Sequence, residues 1–365
     1  MKMQASLLYE PGRPLEVADL DLEGPKEDEV MVRMIATGVC HSCLHVVDGS
    51  WTGFPMPMVL GDEGAGIVEE VGPGVRHVKP GDHVILSWAS TCGRCHYCAT
   101  GLSHLCERTP PGKGVLMDGT SRMKIKGQTV YHYGPACSYA SYSVMPASCA
   151  VPIREDMPLE VAALIGCSVM TGVGSVINTA AVTPGASVAV FGTGGIGLNV
   201  IQGGTLVQAH PIIAVDINPA KLEYAKSFGA THTIDASKEN PVEAIKDLTG
   251  RGADYSFVAV GNAQVINQAW DCLASRGQCL LIGLPPTGST VTFDTGNLQS
   301  NERILRGCKY GSARIYDDFP RMVELYLAGK LKIDELVTRR FDLEGANEAF
   351  DALAAGEVAR GLIVF

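Results

Sequence analysis

A glycine-rich turn between a buried strand and a helix constrains the fold of this chain more than any other feature. The apolar run Ser187–Phe191 predicts a strand, and the next six residues, Gly192-Thr193-Gly194-Gly195-Ile196-Gly197, follow the pattern G-x-G-x-x-G. A helix is predicted from this turn to about Val207, and the following strand ends at Asp216, 19 residues after Gly197. Strand, turn, helix and acidic residue together indicate a dinucleotide-binding unit. The alternative is a glycine turn that serves packing only. It explains the turn, but not the strand, the helix and the acidic residue around it.

Each residue of this turn has a physical role in the dinucleotide interpretation. Gly192 permits the tight turn, Gly194 lets the backbone approach a pyrophosphate, and Gly197 allows the helix to pack closely on the strand. The N-terminus of the helix offers free N–H groups to the phosphates. Asp216 would accept hydrogen bonds from the adenosine ribose and repel a 2′-phosphate, which favours NAD over NADP.

Strands and helices alternate after Pro184-Gly185, and this alternation predicts an α/β fold with a parallel, doubly wound sheet. Helical segments are expected at 159–165, 172–179 and 221–228, and further strands at 212–216, 231–234, 255–260 and 278–283. The tail from about residue 311 contains one predicted helix, 319–328, and a final strand, 361–365.

The first half of the chain is rich in β-branched residues and glycine turns, with strands expected near 1–9, 29–35, 66–72 and 80–86. A chain of 365 residues is long for one core and comfortable for two domains. We therefore expect a β-rich domain at 1–168, a nucleotide-binding domain at 169–310 and a tail, 311–365, that returns to the first domain. The chemistry is expected in the cleft between the domains.

Four cysteines with metal-ligand spacing lie in the first half. Cys92, Cys95 and Cys98 are separated by two residues each, and Cys106 follows after seven more. Four thiolates at such spacing suit tetrahedral Zn²⁺ with no open position, which is typical of a structural site. Disulfides and an iron–sulfur cluster are the alternatives, and the spacing alone leaves the cluster open.

Composition excludes several classes of function. The chain carries a net charge of −10 and has no basic run, which argues against nucleic acid and anionic membranes as partners. No stretch reaches the roughly 18–20 apolar residues of a membrane span. Twelve cysteines without a secretory signal indicate a reducing cytoplasm and metal ligation rather than disulfides.

Three further motifs carry a family resemblance when they are taken together, in this order, with the cysteine cluster and the glycine turn. They are Gly38-Val39-Cys40-His41-Ser42, Gly61-Asp62-Glu63-Gly64 and Ile165-Gly166-Cys167-Ser168. The chain resembles the zinc-dependent medium-chain alcohol dehydrogenases essentially from end to end, including the runs 117–122, 216–218 and 360–365. Within that family it is similar to aryl (benzyl-type) alcohol dehydrogenases and to glutathione-dependent formaldehyde dehydrogenases. The resemblance implies a GroES-like catalytic domain with a zinc lobe at about 90–108, beside a Rossmann domain.

The resemblance also implies a reaction and its residues. A primary or secondary alcohol, aromatic or bulky and apolar, is oxidised to an aldehyde or ketone by hydride transfer from a zinc-bound alkoxide to NAD⁺, or the reverse. Cys40, Asp62 and Cys167 match the ligands of the catalytic zinc, with Glu63 beside them. Ser42 would take the alcohol proton and relay it through the nicotinamide ribose to His45.

The remaining implied roles concern the cofactor and the substrate. Besides the glycine turn and Asp216, the residues that match cofactor-contacting positions are His41, Thr171, Lys221, Ile282, Leu284 and Arg360. The family usually has arginine where His41 stands, so the grip on the pyrophosphate should be weaker. Trp51, Trp88 and Tyr133 match positions that line the substrate pocket, and the alternative is that the tryptophans belong to the core.

The chain departs from the family at two positions that we interpret as linked. The family has histidine where this chain has Asp62, and aspartate where it has Cys43. In the usual arrangement the aspartate orients the ligating histidine, whereas here it would face a second carboxylate. A neutral Cys43 removes that repulsion. Three anionic ligands should also make the zinc a weaker Lewis acid, which predicts a more alkaline optimum for alcohol oxidation.

Two other functions stay open at this point. The chain could be a reductase or a cofactor-binding protein with a weak or lost catalytic zinc, or a glutathione-dependent formaldehyde dehydrogenase. The resemblance predicts two zinc ions per chain, NAD, a small alcohol or aldehyde as the partner, and a homodimer or homotetramer. The contact between subunits is expected at edge strands around 280–295.

Overall fold

The computed structural model describes all residues from 1 to 365, which form two compact units. The first unit comprises Met1–Ser168 together with Arg314–Phe365, and the second comprises Val169–Ala313. Each unit has its own buried apolar cluster. The chain therefore crosses between the units twice, at Ser168 and at Ala313.

The larger sheet of the first unit is centred on the strand Glu29–Gly38. Its neighbours are antiparallel except at the tail, where two strands from the end of the chain pair in parallel. The order is Ala150–Pro152, His83–Leu86, Gly64–Val71, Glu29–Gly38, Arg360–Val364 and Val337–Phe341, with Tyr142–Pro146 also paired to Glu29–Gly38. The pairing of Arg360–Val364 with the central strand makes the C-terminus part of the first unit's core.

Five strands of the first unit close into a small barrel, so they have no open edge. They are Lys2–Leu8, Glu16–Leu22, Met123–Ile125, Gln128–His132 and Met58–Val59. The helices of this unit are short apart from one near the end of the chain. Its α-helices are His41–Val47, His96–Ala99, Leu159–Ala162, Ile315–Leu327 and Ala346–Ala354, and its 3₁₀ turns are Ser103–Leu105, Ala147–Cys149, Ala163–Gly166 and Asp334–Leu336.

The second unit is a six-stranded parallel sheet with helices between the strands. In chain order of its own strands, the sheet runs 3-2-1-4-5-6, which is the order of the Rossmann fold. The strands across the sheet are His232–Asp235, Ile212–Asp216, Val188–Phe191, Ala253–Val258, Leu273–Leu281 and Ile304–Gly307. The helices are Ser168–Gly174, Gly195–Leu206, Pro219–Ser227, Pro241–Thr249, Ala263–Asp271 and Thr295–Ser300, with a 3₁₀ turn at Tyr310–Ser312.

The expected helix at 172–179 differs from the structure in its boundaries and its type. The α-helix Ser168–Gly174 passes directly into a π-helical segment, Ser175–Ala180. Ser175 donates its hydroxyl to the carbonyl of Gly172 at 2.6 Å, which competes with the regular ladder at the point where the winding changes. The hydrophobic pattern could not distinguish the two kinds of helix.

The expected edge strand around 280–295 is wrong. The strand Leu273–Leu281 is flanked on both sides, and no strand lies between 282 and 294. The edge strands of the sheet are His232–Asp235 and Ile304–Gly307, and all four residues of Ile304–Gly307 are exposed. Its single apolar pair, Ile304-Leu305, is too short to give a strand pattern in the sequence.

Six α-helices were not predicted, and they are His41–Val47, His96–Ala99, Pro241–Thr249, Ala263–Asp271, Thr295–Ser300 and Ala346–Ala354. Two of them have clear start signals. Pro241–Thr249 begins after Asn240, and Ala263–Asp271 begins after Asn262. Each asparagine side chain caps its helix by accepting a backbone N–H, and proline at the first helical position follows Asn240. The Asn-Pro pair is the signal that the sequence offered.

By length and composition, no single helix could cross a membrane, and only the bent pair of segments Leu159–Gly166 and Ser168–Ala180 passes that test together.

Candidate active site

Cys40, Asp62 and Cys167, which we call the Cys40 group, come together inside the first unit. Their ligand atoms all lie within 4.8 Å of one another, and all three residues are buried. The sulfurs of Cys40 and Cys167 are 3.9 Å apart. Residues separated by more than a hundred positions thus form one cluster of metal-ligating atoms.

The local structure explains how the three residues meet. Cys40 occupies the N-cap position of the helix His41–Val47, two residues after the end of the central strand. The next loop is held beside it because Gly38 N–H donates to the Glu63 carbonyl at 2.7 Å. Asp62 follows Gly61, whose φ of 105° is in the left-handed region that favours glycine. Cys167 follows Gly166, where a side chain would come within 2.6 Å of the Leu86 carbonyl.

The Asp62 carboxylate receives donors from one helical turn. Ser42 Oγ donates to Asp62 Oδ2 at 2.5 Å, and Cys43 Sγ lies 3.9 Å from Asp62 Oδ1. Burial, and then the neighbouring Cys40, raise the pKa of Asp62 well above its usual range. The charged carboxylate is therefore costly here without a cation.

Glu63 has a different position from the one that zinc ligation would require. Its Oε1 accepts the backbone N–H of Ser168 at 2.7 Å, and its Oε2 lies 3.6 Å from Arg360 Nη1. Arg360 also donates to the Val39 carbonyl at 3.2 Å. Glu63 and Arg360 therefore form a buried ion pair behind the Cys40 group, and Glu63 is not among the clustered ligands.

The geometry of the Cys40 group fits zinc. Tetrahedral Zn²⁺ with bonds of about 2.3 Å to sulfur requires sulfurs roughly 3.8 Å apart. The 3.9 Å between Cys40 and Cys167 is close to this value, and a carboxylate oxygen completes a three-ligand set. Three protein ligands leave one tetrahedral position for a substrate oxygen, as in catalytic zinc sites.

The four-cysteine lobe, Cys92, Cys95, Cys98 and Cys106, forms the second cluster. Its sulfurs lie within 4.8 Å of one another, and the Cys92–Cys98 and Cys95–Cys106 pairs are each separated by 4.0 Å. Cys92 Sγ accepts the N–H of Cys95, and Cys95 Sγ accepts the N–H of Cys98. Backbone donors of Arg94 and Cys95 lower the pKa of Cys92 to about 6. Four sulfurs fill a tetrahedral zinc and leave no open position.

The glycine turn of the second unit has the shape that a dinucleotide needs. Gly192 has a φ of 91°, and the helix Gly195–Leu206 begins directly behind Gly194. A side chain at Gly197 would overlap the Gly192 carbonyl, whereas a side chain at Gly194 would meet nothing within 4 Å. The open space at Gly194 is a cradle beside free helix N–H groups, which fits a pyrophosphate.

Asp216 holds the turn from the end of the neighbouring strand. Its Oδ2 accepts the backbone N–H and the hydroxyl of Thr193 at 2.8 and 2.9 Å. Its Oδ1 accepts the N–H groups of Ile217 and Asn218 at 2.8 and 3.0 Å. These four bonds fix the carboxylate where a ribose can approach it.

Aromatic side chains pack beside the helix that carries Ser42. His45 stacks on Trp51 with ring centroids 5.2 Å apart, and Phe54 lies 5.8 Å from Tyr133. Burial, and then the charges of Cys43 and Asp62, raise the pKa of Tyr133. We call Trp51, Phe54 and Tyr133 the aromatic cluster. Phe54 was missed in the sequence, and its spacing of three residues from Trp51 was the available signal.

The other candidate residues are placed as follows. His41 is exposed at the start of its helix, and Trp88 is half-buried after the strand His83–Leu86. In the second unit, Ile282 is buried and Leu284 is 47% exposed. The half-buried residues of that unit include Thr171, Gly195, Ile196 and Lys221.

These features define a zinc- and dinucleotide-binding dehydrogenase, and comparison with known proteins agrees. Residues 26–155 match the alcohol dehydrogenase GroES-like domain, and residues 195–328 match the zinc-binding dehydrogenase family. The S-(hydroxymethyl)glutathione dehydrogenase of Paracoccus denitrificans is 41% identical over 376 residues, with both chains covered in full.

Solved structures are similar over the whole chain as well. The benzyl alcohol dehydrogenase of Acinetobacter calcoaceticus has a TM-score of 0.95 and 32% identity, covering 100% of this chain and 99% of that one. An alcohol dehydrogenase zinc-binding domain protein from Burkholderia ambifaria has a TM-score of 0.96 and 34% identity, with the same coverage. The chain belongs to the zinc-dependent alcohol dehydrogenase family, oxidoreductases that act on CH–OH groups with NAD.

Proposed function

We propose that this enzyme oxidises primary or secondary alcohols that carry an aromatic or bulky apolar group, and reduces the corresponding aldehydes or ketones. The aromatic cluster carries the proposal, because Trp51 stacks on His45 of the helix that carries Ser42 and the Tyr133 hydroxyl interacts electrostatically with Asp62. Aromatic walls favour flat, apolar substrates. The solved benzyl alcohol dehydrogenase with a similar fold gives independent support.

In this proposal Cys40, Asp62 and Cys167 hold the catalytic zinc. Bound zinc supplies Lewis acidity to the alcohol oxygen, and NAD⁺ is the hydride acceptor. Ser42 Oγ lies 2.5 Å from Asp62 Oδ2, so it would be placed beside a substrate oxygen, and it would accept the alcohol proton while it passes its own proton to the nicotinamide ribose. His45 Nδ1 is buried and makes no hydrogen bond within the protein, which suits it to pass a proton onward.

Substrate comparison tests the proposed specificity. We expect kcat/KM for benzyl alcohol to exceed that for ethanol. Trp51→Ala should lower the benzyl alcohol value up to about tenfold, because an aromatic pair contributes roughly 0.5–1.5 kcal/mol. The value for ethanol should change much less. Tyr316→Ala is the control, since Tyr316 packs on His77 instead of the aromatic cluster. Equal losses for both alcohols would contradict an aromatic pocket.

A second candidate is the oxidation of S-(hydroxymethyl)glutathione, which the Paracoccus relative's name describes. Lys113 favours it, because Lys113 Nζ lies 4.5 Å from the Phe54 ring centroid and could hold a peptide carboxylate. Under this hypothesis Lys113→Gln lowers kcat/KM for the glutathione adduct and leaves benzyl alcohol unchanged. A larger kcat/KM for the adduct than for any simple alcohol would replace the aromatic proposal.

Metal analysis separates the dehydrogenase from a protein that kept only its structural zinc. Two zinc ions per chain support the Cys40 group as a working site. One zinc per chain, retained in a Cys40→Ser variant, would instead support a reductase or a cofactor-binding protein.

A homodimer or homotetramer is also proposed, with the exposed edge strand Ile304–Gly307 as the contact. An unpaired strand edge can accept a second copy of the chain. Light scattering should give at least twice the mass of one chain, 38.6 kDa, and Leu305→Arg should lower it. An unchanged mass in the variant would exclude this edge.

A further inference from the structure

Cys43 occupies a position from which it can act on Asp62. It is fully buried in the apolar cluster of the first unit, among Val39, Val46 and Leu60. Its backbone N–H also donates to the Cys40 carbonyl at 3.1 Å. The side chain therefore has little freedom to move, and its sulfur faces Asp62 Oδ1 at 3.9 Å.

The two oxygens of the carboxylate are held by neighbouring residues of one turn. Ser42 donates a hydrogen bond to Asp62 Oδ2, and the Cys43 sulfur faces Asp62 Oδ1. The helix His41–Val47 therefore contacts both oxygens of the carboxylate. Other charged or ionisable groups that act on Asp62 are Cys40, Glu63 and Arg360. Only Arg360 is a cation, and it forms an ion pair with Glu63. Orientation of Asp62 thus depends on the two neutral donors.

The chemistry at position 43 excludes a second carboxylate. An aspartate there would place two buried anions within a few ångströms, and each would destabilise the other. An ordinary thiol has a pKa of about 8.5, so it is a weak donor with no charge at neutral pH, and the Cys43 sulfur faces Asp62 Oδ1 at 3.9 Å. The side chain is therefore S–H, which can donate to the carboxylate.

We propose that Cys43 is a positioning residue that, with Ser42, holds the Asp62 carboxylate in the orientation in which it binds the catalytic metal. The inference rests on the proposed function, because it requires Asp62 to be a zinc ligand. Partners that orient metal ligands typically change metal affinity by about 10–100-fold when they are removed.

Zinc release tests the inference without measuring turnover. Wild type, Cys43→Ser, Cys43→Ala and Cys43→Asp would be loaded with zinc, mixed with a chromophoric chelator and followed over time. Serine and alanine remove the same bulk, but only serine keeps a donor. We expect release of one zinc about tenfold faster from Cys43→Ala than from wild type, near wild-type release from Cys43→Ser, and the fastest release from Cys43→Asp. The zinc of the four-cysteine lobe is the internal control for folding.

The cobalt-substituted enzyme provides a second readout. The charge-transfer and d–d bands of Co²⁺ at the Cys40 group should shift in Cys43→Ala and stay close to wild type in Cys43→Ser. In the double variant Asp62→His with Cys43→Asp, an imidazole ligand and its carboxylate partner would be paired, and slow release should return.

The outcomes distinguish a failure of the positioning role of Cys43 from a failure of the proposed zinc site. If wild type holds two zinc ions, and Cys43→Ala and Cys43→Asp release them at the wild-type rate with an unchanged cobalt spectrum, the positioning role is wrong and the zinc site stands. If wild type holds one zinc, the proposed function fails and the inference fails with it. Equal acceleration in Cys43→Ser and Cys43→Ala would assign the effect to lost packing and overturn the donor role.

Discussion

At the scale of single residues, two glycines of the nucleotide turn have different roles: Gly197 is needed for folding and Gly194 for nucleotide binding. Gly197→Ala should destabilise the second unit by about 1–3 kcal/mol, because its side chain would overlap the Gly192 carbonyl. Gly194→Ala should leave the free energy of unfolding nearly unchanged, because the space around it is open. The same methyl would occupy the place of the pyrophosphate, so we expect NADH affinity to fall at least tenfold. Urea unfolding and fluorescence titration measure the two effects, and tight NADH binding by Gly194→Ala would contradict this placement.

Asp216 is the residue that decides the nucleotide preference. Its carboxylate is fixed by four hydrogen bonds from Thr193, Ile217 and Asn218, and a 2′-phosphate near it would be repelled. Asp216→Asn keeps one accepting oxygen and removes the charge. We expect this variant to lower the ratio of the NADPH dissociation constant to the NADH dissociation constant by tenfold or more. An unchanged ratio would show that another residue excludes the 2′-phosphate.

At the scale of secondary-structure elements, a buried ion pair joins the central strand to the segment before Met123–Ile125. Arg122 is fully buried, and its Nε and Nη2 donate to Glu29 at 2.8 and 2.5 Å. Glu29→Gln should cost about 3 kcal/mol of unfolding free energy, because it leaves a buried cation short of a partner. Glu23→Gln is the matched control, since the Glu23–Lys124 pair is exposed and should contribute less than about 1 kcal/mol. If both variants lower the free energy of unfolding in urea equally, the buried pair contributes no more than the exposed pair and the prediction is wrong.

The strand Gln128–His132 ends in a buried histidine that makes stability depend on pH. Burial, helped by the charge of Arg122, lowers the pKa of His132 from 6.5 to about 3. The unfolded chain therefore binds a proton below pH 6.5 that the folded chain does not, and stability falls as the pH drops towards 3. The slope approaches 1.4 kcal/mol per pH unit for one such group. His132→Gln should flatten the curve between pH 6 and 4, whereas the exposed His232→Gln should not.

At the scale of the whole molecule, the two kinds of binding site reside in different compact units. Both metal clusters belong to the first unit, and the glycine turn belongs to the second. Hydrogen exchange in the two units should therefore respond to different ligands. A zinc chelator should speed exchange at 92–106 and around Cys40 and Cys167. The strands Val188–Phe191 and Ile212–Asp216 should stay protected. NADH should slow exchange at 192–197. Loss of protection in the second unit on chelation alone would contradict this independence.

Local patterns were sufficient for much of this molecule. The nucleotide turn was predictable because its residues are neighbours in the chain and glycine geometry is intrinsic to the backbone. The four-cysteine lobe was predictable for the same reason, since its ligands lie within 15 residues. Strands such as Ile212–Asp216 followed from a short apolar run with turn signals at both ends. The family resemblance then predicted Cys40, Asp62 and Cys167 as one ligand set, although these residues are far apart in the sequence and share no local pattern.

Only the tertiary structure decided the arrangement around Asp62. Sequence suggested that Asp62 and Cys43 changed together, but it could not place a thiol 3.9 Å from one carboxylate oxygen and a serine hydroxyl 2.5 Å from the other. The sequence also could not show that Glu63 pairs with Arg360, or that Ile304–Gly307 is a fully exposed edge strand of the parallel sheet. Chain geometry fixes contacts between near neighbours, whereas contacts between distant residues depend on how the sheets pack. The sequence by itself therefore determined which groups are available to bind metal and nucleotide, and packing determined which of them meet.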